Sequence, residues 1–550
     1  MAELSGAQIV AKSLETQGVG AMFGVVGFPV VPVAIAAQRS GVPYLGFRNE
    51  QSASYAAGAY GYLTGRPGAC LAVSGPGMIH AIAGLANAQA NCWPMLLIGG
   101  ANDSFQNGMG AFQECPQIEA ARPFVKYAAR PDSIERLPYY VEQAVRASLT
   151  GRPGAVYLDL PNDLIVGKRD ESQVGWQPRA PEPARPQAEP AAVERALEVL
   201  RAAERPLVIV GKGAAWSRAE NEVRDFIQRT HLPFLATPMG KGVVPDDDPL
   251  SVAPARSFAL QNADAVLLIG ARLNWILHFG LPPRFAKGVK VVQLDVSGDE
   301  IGRNVPAEVA LVGDAQAIVS QLNSAIAKAK WTYPQETPWR VDLAREIAKN
   351  QESVSAMFTD DSVPMNYYRA LREIRDLVPR DAIICSEGAN TMDIGRTVLP
   401  NFAPRHRLDA GTFGTMGVGL GFAIAAAVAR PEQKVVAVEG DSAFGFSGME
   451  FETACRYRLP ITFVILNNNG IGGGVDEFDP ANVPVSVYTP RARYDKIAEA
   501  FGGRGWFVTK PDELGPALKD ALAAPVPTIV NVMLNPRADR KPQKYGWLTR

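Results

Sequence analysis

Two short loops carry most of the chemistry that can be read in this chain. The apolar, β-branched run 434–439 reads as a buried strand, and it delivers Gly440-Asp441-Ser442-Ala443 onto a helix expected to begin near Ser447. Glycine lets the backbone approach a ligand closely, and amides at a helix start face an anion. Asp441 offers a hard carboxylate oxygen of the kind magnesium takes. A second apolar run, 461–466, ends at Asn467-Asn468-Asn469-Gly470, which offers an amide oxygen and a backbone carbonyl. Magnesium is satisfied by one or two protein oxygens together with a diphosphate and water, so the two loops can hold a metal diphosphate between them. Both loops are expected at the carboxyl ends of neighbouring strands, where open α/β sheets take their ligands.

Four further stretches stand out. Gly46-Phe47-Arg48-Asn49-Glu50-Gln51-Ser52-Ala53 sets one carboxylate, Glu50, at a helix start, and Ser74-Gly75-Pro76-Gly77 is a tight turn after a strand at 69–73. Ser386-Glu387-Gly388-Ala389-Asn390-Thr391 ends a strand near 382–386, and Gly411-Thr412-Phe413-Gly414-Thr415-Met416-Gly417 is rich in glycine. Together with Asp441 and Asn468, these stretches resemble the motifs of thiamin-diphosphate enzymes over essentially the whole chain. The resemblance implies magnesium held by Asp441, Asn468 and the Gly470 carbonyl. It puts Gly440, Ser442, Ala443, Ile471, Glu387 and Asn390 on the diphosphate side, and Gly75, Pro76 and Gly77 on the pyrimidine side. By the same resemblance the Gly414 carbonyl accepts from the aminopyrimidine amine and Met416 props the cofactor into a bent shape. Glu50 becomes the carboxylic acid against the aminopyrimidine ring that promotes loss of the thiazolium C2 proton, giving the ylid. The implied fold is α/β, three doubly wound parallel-sheet domains. The implied assembly is at least a homodimer, and by expectation a tetramer, because pyrimidine and diphosphate domains of one site come from different subunits.

Within these enzymes the chain resembles the 2-hydroxyacyl-CoA lyase and oxalyl-CoA decarboxylase family, through 440–450, 387–396 and Gly270-Ala271-Arg272-Leu273-Asn274-Trp275. The decarboxylases usually carry Tyr-Glu where this chain has Phe112-Gln113, and the lyases carry Phe-Gln. A neutral amide and an apolar ring suit a hydroxyacyl or carbonyl group better than a second carboxylate does. The expected reaction is therefore cleavage of a 2-hydroxyacyl-CoA to formyl-CoA and an aldehyde or ketone, with Gln113 orienting the substrate. Oxalyl-CoA decarboxylation is the alternative enzyme reading, and a non-catalytic nucleotide-binding paralogue the alternative from another class. A nicotinamide dehydrogenase is disfavoured, because the stretch at Gly211 is not a Gly-x-Gly-x-x-Gly fingerprint and Asp441 and Asn468 would go unexplained. ADP or the adenosine diphosphate part of coenzyme A is expected at the central domain, near Lys212, Lys241, Arg256, Arg272 with Asn274, and a ribose-binding Asp295. Where relatives usually place a tyrosine, Gly472-Gly473-Gly474 follow Ile471. The resulting room suggests a branched or ketone-derived acyl group such as 2-hydroxyisobutyryl.

These residues need a large scaffold. At 550 residues the chain exceeds one hydrophobic core. Strands at 21–26, 69–73, 94–99 and 155–160 alternate with helices, then four prolines between Pro178 and Pro186 make a stiff linker. A helix at 191–203 and strands at 207–210, 265–269 and 289–294 form a second α/β segment. A polar stretch at 331–366 leads to the third. The expected domains are 1–177 for the pyrimidine, 190–330 for the nucleotide and 365–534 for the diphosphate. Residues 535–550 are expected as a basic tail, with Lys541, Lys544, Tyr545 and Trp547 closing over the site. With 55 Lys and Arg against 56 Asp and Glu, no excess of positive charge exists for nucleic acid. No apolar run reaches membrane-spanning length, Met1–Gly6 has no signal-peptide character, and the last residues are not a Ser-Lys-Leu address. Five dispersed cysteines and four unclustered histidines read as reduced thiols in a cytoplasmic enzyme without a His-based metal centre.

Overall fold

The computed structural model describes residues 3–542. Three parallel sheets carry the chain. The first runs, edge to edge, Tyr44–Gly46, Met22–Gly24, Gly68–Ala72, Met95–Ala101, Ala155–Pro161, Tyr127–Ala129. The third runs Arg407–Asp409, Ile383–Glu387, Val435–Gly440, Thr462–Asn467, Thr528–Met533, Arg504–Val508. Numbered in chain order within each sheet, both follow 2-1-3-4-6-5. The middle sheet has five strands, Phe234–Ala236, Pro206–Val210, Ala265–Ile269, Lys290–Asp295 and Val309–Val312, in the order 2-1-3-4-5. Each order reverses beside its first strand, and at that switch point loops at the carboxyl ends diverge and leave a crevice. A short antiparallel pair, Glu3–Ser5 with Lys168–Asp170, ties the chain's start to the end of the first unit.

The central strands are Val, Ile and Leu runs buried on both faces, as parallel strands covered by helices must be. Small residues set the contact between the first and third units. Helix Glu50–Thr64 and helix Gly419–Ala429 are rich in Ala and Gly, and a Cβ added at Gly421 would lie 2.7 Å from the Ser52 carbonyl oxygen. This close approach seats Phe422 against Trp93 and Tyr55, with ring centroids 5.3 and 6.5 Å apart. Burying a ring of that size stabilises by about 2–3 kcal/mol, so the interface is a core rather than a loose docking surface.

Three elements differ from expectation. The helix after Gly440 begins at once, as Asp441–Ser447, so the Asp441 amide and carboxylate sit in its first turn. The polar stretch 331–366 contains a 21-residue helix, Pro338–Phe358, capped by Thr337 and buried only at Trp339 and Leu343, too narrow an apolar stripe to read as amphipathic. The proline linker is pinned along its length: Ala180 N–H donates to Gln17 Oε1 at 2.7 Å, and Arg66 pairs with Glu182 at 2.8 Å. No helix among the described residues is long and apolar enough to cross a membrane. Lys544, Tyr545 and Trp547 lie outside the described residues.

Candidate active site

Strands Val435–Gly440 and Thr462–Asn467 are adjacent, with Gly440 opposite Leu466. Asp441 and Asn468 therefore leave neighbouring strand ends side by side. Asp441 is buried; its Oδ1 accepts the Ser442 N–H at 2.9 Å, and its Oδ2 is buried without a hydrogen-bond partner among the described residues. Burial pushes this carboxyl up to about 7, against the pull of the Ser442, Gly470 and Asn469 amides. An unpaired buried carboxylate oxygen is costly, and a bound cation relieves that cost. The asparagines divide the remaining work. Asn467 and Asn469 brace the turn, the first accepting the Asn469 N–H at 3.1 Å, the second accepting the Arg491 N–H at 2.8 Å. Asn468 Oδ1 accepts the Gly470 N–H at 3.3 Å, while its Nδ2 donates to the Gly472 carbonyl at 3.1 Å. The donors are hard oxygens and fit a magnesium diphosphate. No cluster of three His, Cys, Asp or Glu side chains suited to another metal exists among the described residues.

Asn390 reaches the same loops, its Nδ2 donating to the Gly472 carbonyl at 3.3 Å. Glu387 does not present its carboxylate to the diphosphate loop. It is fully buried and accepts the N–H groups of Gly417 and Gly419, so it fixes the segment that follows Gly414 and Met416. Glu439 is its register partner on the next strand. Burial pushes both carboxyls up; the Gly417 and Gly419 amides partly oppose this at Glu387, while the Glu387 charge adds to it at Glu439. The three glycines after Ile471 serve the backbone. A Cβ at Gly474 would fall 2.4 Å from the Asn468 carbonyl oxygen, so Gly474 is required for close approach, whereas Gly472 (φ +75°) faces open space.

The first unit assembles a second group. Glu50 opens helix Glu50–Thr64, with Asn49 as its N-cap, and its side chain is only 13% exposed. His80 Nδ1 lies 3.2 Å from Glu50 Oε2. A Cβ at Gly77 would meet Glu50 Oε1 at 3.1 Å, so the turn Gly75, Pro76, Gly77 lies directly against this carboxylate. Gln113 joins the same turn through Ser74, whose hydroxyl donates to Gln113 Oε1 at 3.1 Å. Gln113 adopts φ +57°, uncommon for a side chain with a Cβ. Phe112 is 67% exposed and makes an edge contact with Phe28 at 6.0 Å. His80 and the buried Glu450, which holds the Arg48 and Asn49 amides, were missed by sequence reasoning. A lone histidine and a glutamate 400 residues from its partner give no sequence signal.

The third group surrounds a cavity of about 840 Å³ where the three units meet. Lys212, Arg272, Asn274 and Asp295 line it, joined by Arg152 and Arg185, which sequence reasoning did not single out. Arg152 pairs with Asp295 at 2.8 Å. Lys212 donates to Asn91 Oδ1 at 3.2 Å, and burial lowers its pKa to about 7. Lys241 and Arg256, expected beside them, lie elsewhere. Lys241 pairs with Asp246 at 2.7 Å, and Arg256 donates to the Ile276 carbonyl at 2.7 Å. Lys241 is buried and Arg256 partly so, and each is already committed to a structural partner.

Sequence profiles of the thiamine pyrophosphate enzymes match all three units: the N-terminal TPP binding domain at residues 4–120, the central domain at 193–322 and the C-terminal TPP binding domain at 387–532. The chain belongs to the thiamine pyrophosphate enzyme family. Among its full-length relatives is 2-hydroxyacyl-CoA lyase 1 of Homo sapiens, 51% identical over 100% of this chain and 97% of that protein. The 2-hydroxyacyl-CoA lyase of Arabidopsis thaliana is 45% identical over 97% of this chain and 96% of its own. Oxalyl-CoA decarboxylase of Escherichia coli (strain K12) is also similar, at 43% identity over 97% of this chain and 95% of its own.

Proposed function

We propose that this protein is a thiamin-diphosphate-dependent carbon–carbon lyase that cleaves 2-hydroxyacyl-CoA thioesters to formyl-CoA and an aldehyde or ketone, reversibly. The observation that carries the reading is Gln113, a neutral amide held by Ser74 against the turn that also touches Glu50. Bound thiamin diphosphate supplies a nucleophilic carbon and an electron sink. The chain's own residues do the rest. Asp441, Asn468 and the Gly470 carbonyl would hold magnesium, and the Glu50 carboxyl would hold and exchange a proton facing the aminopyrimidine ring. Gly75, Pro76, Gly77, Asn390, Gly414, Met416, Gly440, Ser442, Ala443 and Ile471 would border the cofactor. In the net reaction the 2-hydroxyl loses its proton as the C1–C2 bond breaks, C1 keeps the electron pair, and a proton delivered to C1 completes formyl-CoA.

The cavity between the units takes ADP or the adenosine diphosphate of coenzyme A. Its size suits a nucleotide, and Lys212 and Arg272 on its wall supply positive charge for phosphates. The protein works in the cytoplasm as a homodimer or tetramer, the first and third units of one site coming from different subunits. Five unpaired cysteines support a reducing compartment. The open space at Gly472 supports a branched acyl group such as 2-hydroxyisobutyryl.

The test is incubation with thiamin diphosphate, Mg²⁺ and a panel of 2-hydroxyacyl-CoA thioesters beside oxalyl-CoA, following formyl-CoA by mass. Formyl-CoA with an equivalent of aldehyde or ketone supports the lyase. Formyl-CoA and carbon dioxide from oxalyl-CoA alone would identify a decarboxylase, and a strong preference for straight chains would sink the branched-acyl reading.

A further inference from the structure

Behind the turn that joins Glu50 to Gln113 lies a buried polar chain that the reaction as described does not use. Gly75 has φ +59° and ψ −109°, a conformation open to glycine and strained for other residues. Its N–H is captured at 2.5 Å by the side-chain oxygen of Gln117, which is 2% exposed. The Gln117 amide nitrogen in turn donates to the Gly100 carbonyl at 2.9 Å and to the buried Asp159 carboxylate. Asp159 is fully buried and receives the Tyr157 hydroxyl at 2.6 Å and the Arg130 guanidinium at 2.5 Å. The network thus runs Gly75, Gln117, Asp159, Arg130, and each link is a short bond between groups that would be costly to leave unpaired.

Its geometry points at the catalytic group from behind. Ser74, one residue before Gly75, holds Gln113, and Gly77, two residues after, lies against Glu50. The Gly75 turn also packs directly on the Gln113 backbone, since a Cβ at Gly75 would meet the Gln113 carbonyl oxygen at 2.5 Å. One amide therefore controls the rotation of a turn that sets two functional side chains at once. Gln117 also keeps its orientation unambiguous, because its nitrogen faces a carboxylate and a carbonyl, leaving only its oxygen for Gly75.

We propose that Gln117, backed by Asp159 and Arg130, is a positioning residue that sets Glu50 and Gln113 in register with each other through the Gly75 turn. The proposal rests on the reading of Glu50 and Gln113 given above. A misplacement of about 1 Å at such a turn is enough to slow a reaction by about 100-fold, without any loss of the groups that do the chemistry.

The test compares wild type, Gln117→Leu, Asp159→Asn and Glu50→Gln, each loaded with thiamin diphosphate and Mg²⁺. The readouts are hydrogen–deuterium exchange at C2 of the bound cofactor, cofactor affinity, kcat and KM for a 2-hydroxyacyl-CoA, and Tm. Gln117→Leu is expected to slow both C2 exchange and kcat by about 10–100-fold. Cofactor affinity should stay within about threefold, because Asp441 and Asn468 anchor the diphosphate from another unit. Asp159→Asn acts one link further back and should slow exchange by about 3–10-fold; it carries the test if Gln117→Leu does not fold. C2 exchange within twofold of wild type in a folded, cofactor-loaded variant of either residue would overturn the proposal, as would a drop in Tm with exchange per bound cofactor unchanged. Retained exchange in Glu50→Gln would instead overturn the reading of Glu50, whatever Gln117 does.

Discussion

The Glu450 carboxylate accepts the Asn49 backbone N–H at 3.0 Å, joining the diphosphate unit to the helix cap that precedes Glu50 across 401 positions of sequence. It also takes the Arg48 N–H and the Thr453 hydroxyl. Burial pushes Glu450 up to about 7, the Thr453, Arg48 and Asn49 hydrogen bonds and Arg456 only partly opposing it. A carboxyl raised on folding contributes its full stability at low pH and loses it as pH rises through the folded value. Glu450→Gln keeps the acceptor for Arg48 and Asn49 without the charge. Between pH 5 and pH 8 it should gain about 2 kcal/mol relative to wild type. Parallel thermal melts across that range check this, and a difference that does not change with pH would refute it.

Asp441→Asn removes the carboxylate whose Oδ2 has no hydrogen-bond partner among the described residues. The variant should fold at least as stably as wild type, because a costly buried charge is gone. Mg²⁺-dependent binding of thiamin diphosphate should nonetheless weaken by about 100-fold or more. Calorimetric titration with and without Mg²⁺ separates the two effects.

The glycines after Ile471 are not equivalent. Gly474→Ala would drive a methyl group into the Asn468 and Asn469 carbonyls, so it should cost about 2–4 kcal/mol and disturb cofactor binding. Gly472→Ala meets nothing within 4 Å but keeps φ +75°, a cost of about 1 kcal/mol. Melting temperature and cofactor affinity measured on both variants check the contrast; equal effects would show that the loop rearranges.

Lys212 offers a pH signature for the cavity between the units. Its amine faces Asn91, Cys92, Arg152, Arg272 and Asp409, and burial is the main reason its pKa falls to about 7. A diphosphate binds the protonated amine, which predominates below that value and is lost above it. ADP affinity should therefore fall by about tenfold from pH 6 to pH 9, and Lys212→Met should abolish that slope. A pH-independent affinity in wild type would remove Lys212 from the phosphate contacts.

Long apolar strands were plain in the sequence because both of their faces are buried. The run Ala265–Ile269 needs no context to read as a strand, and Val435–Gly440 with Thr462–Asn467 nearly as little. Three-residue edge strands such as Tyr44–Gly46, Tyr127–Ala129 and Arg407–Asp409 were not legible. They exist because a neighbour supplies the ladder, and three residues carry no period of their own. The Thr528–Met533 strand fills the sheet between two others, yet its apolar run could equally have been a short helix segment.

By itself the sequence pointed to the cofactor, because the stretches around Glu50, Asp441 and Asn468 resemble thiamin-diphosphate motifs, and the family profiles match all three units. Phe112-Gln113 added the substrate class. Tertiary structure alone decided which charged groups face the cavity between the units. Lys241 and Arg256 looked as available as Lys212 and Arg272, but the fold commits the first two to Asp246 and Ile276 and leaves the others on the cavity wall. It also decided that Glu387 clamps the Gly417 and Gly419 amides, that Gln117 braces the Gly75 turn, and that Glu450 holds the cap before Glu50. The physical reason is the same in each case. A buried polar group must find a partner, and that partner is chosen by packing between elements that lie far apart along the chain.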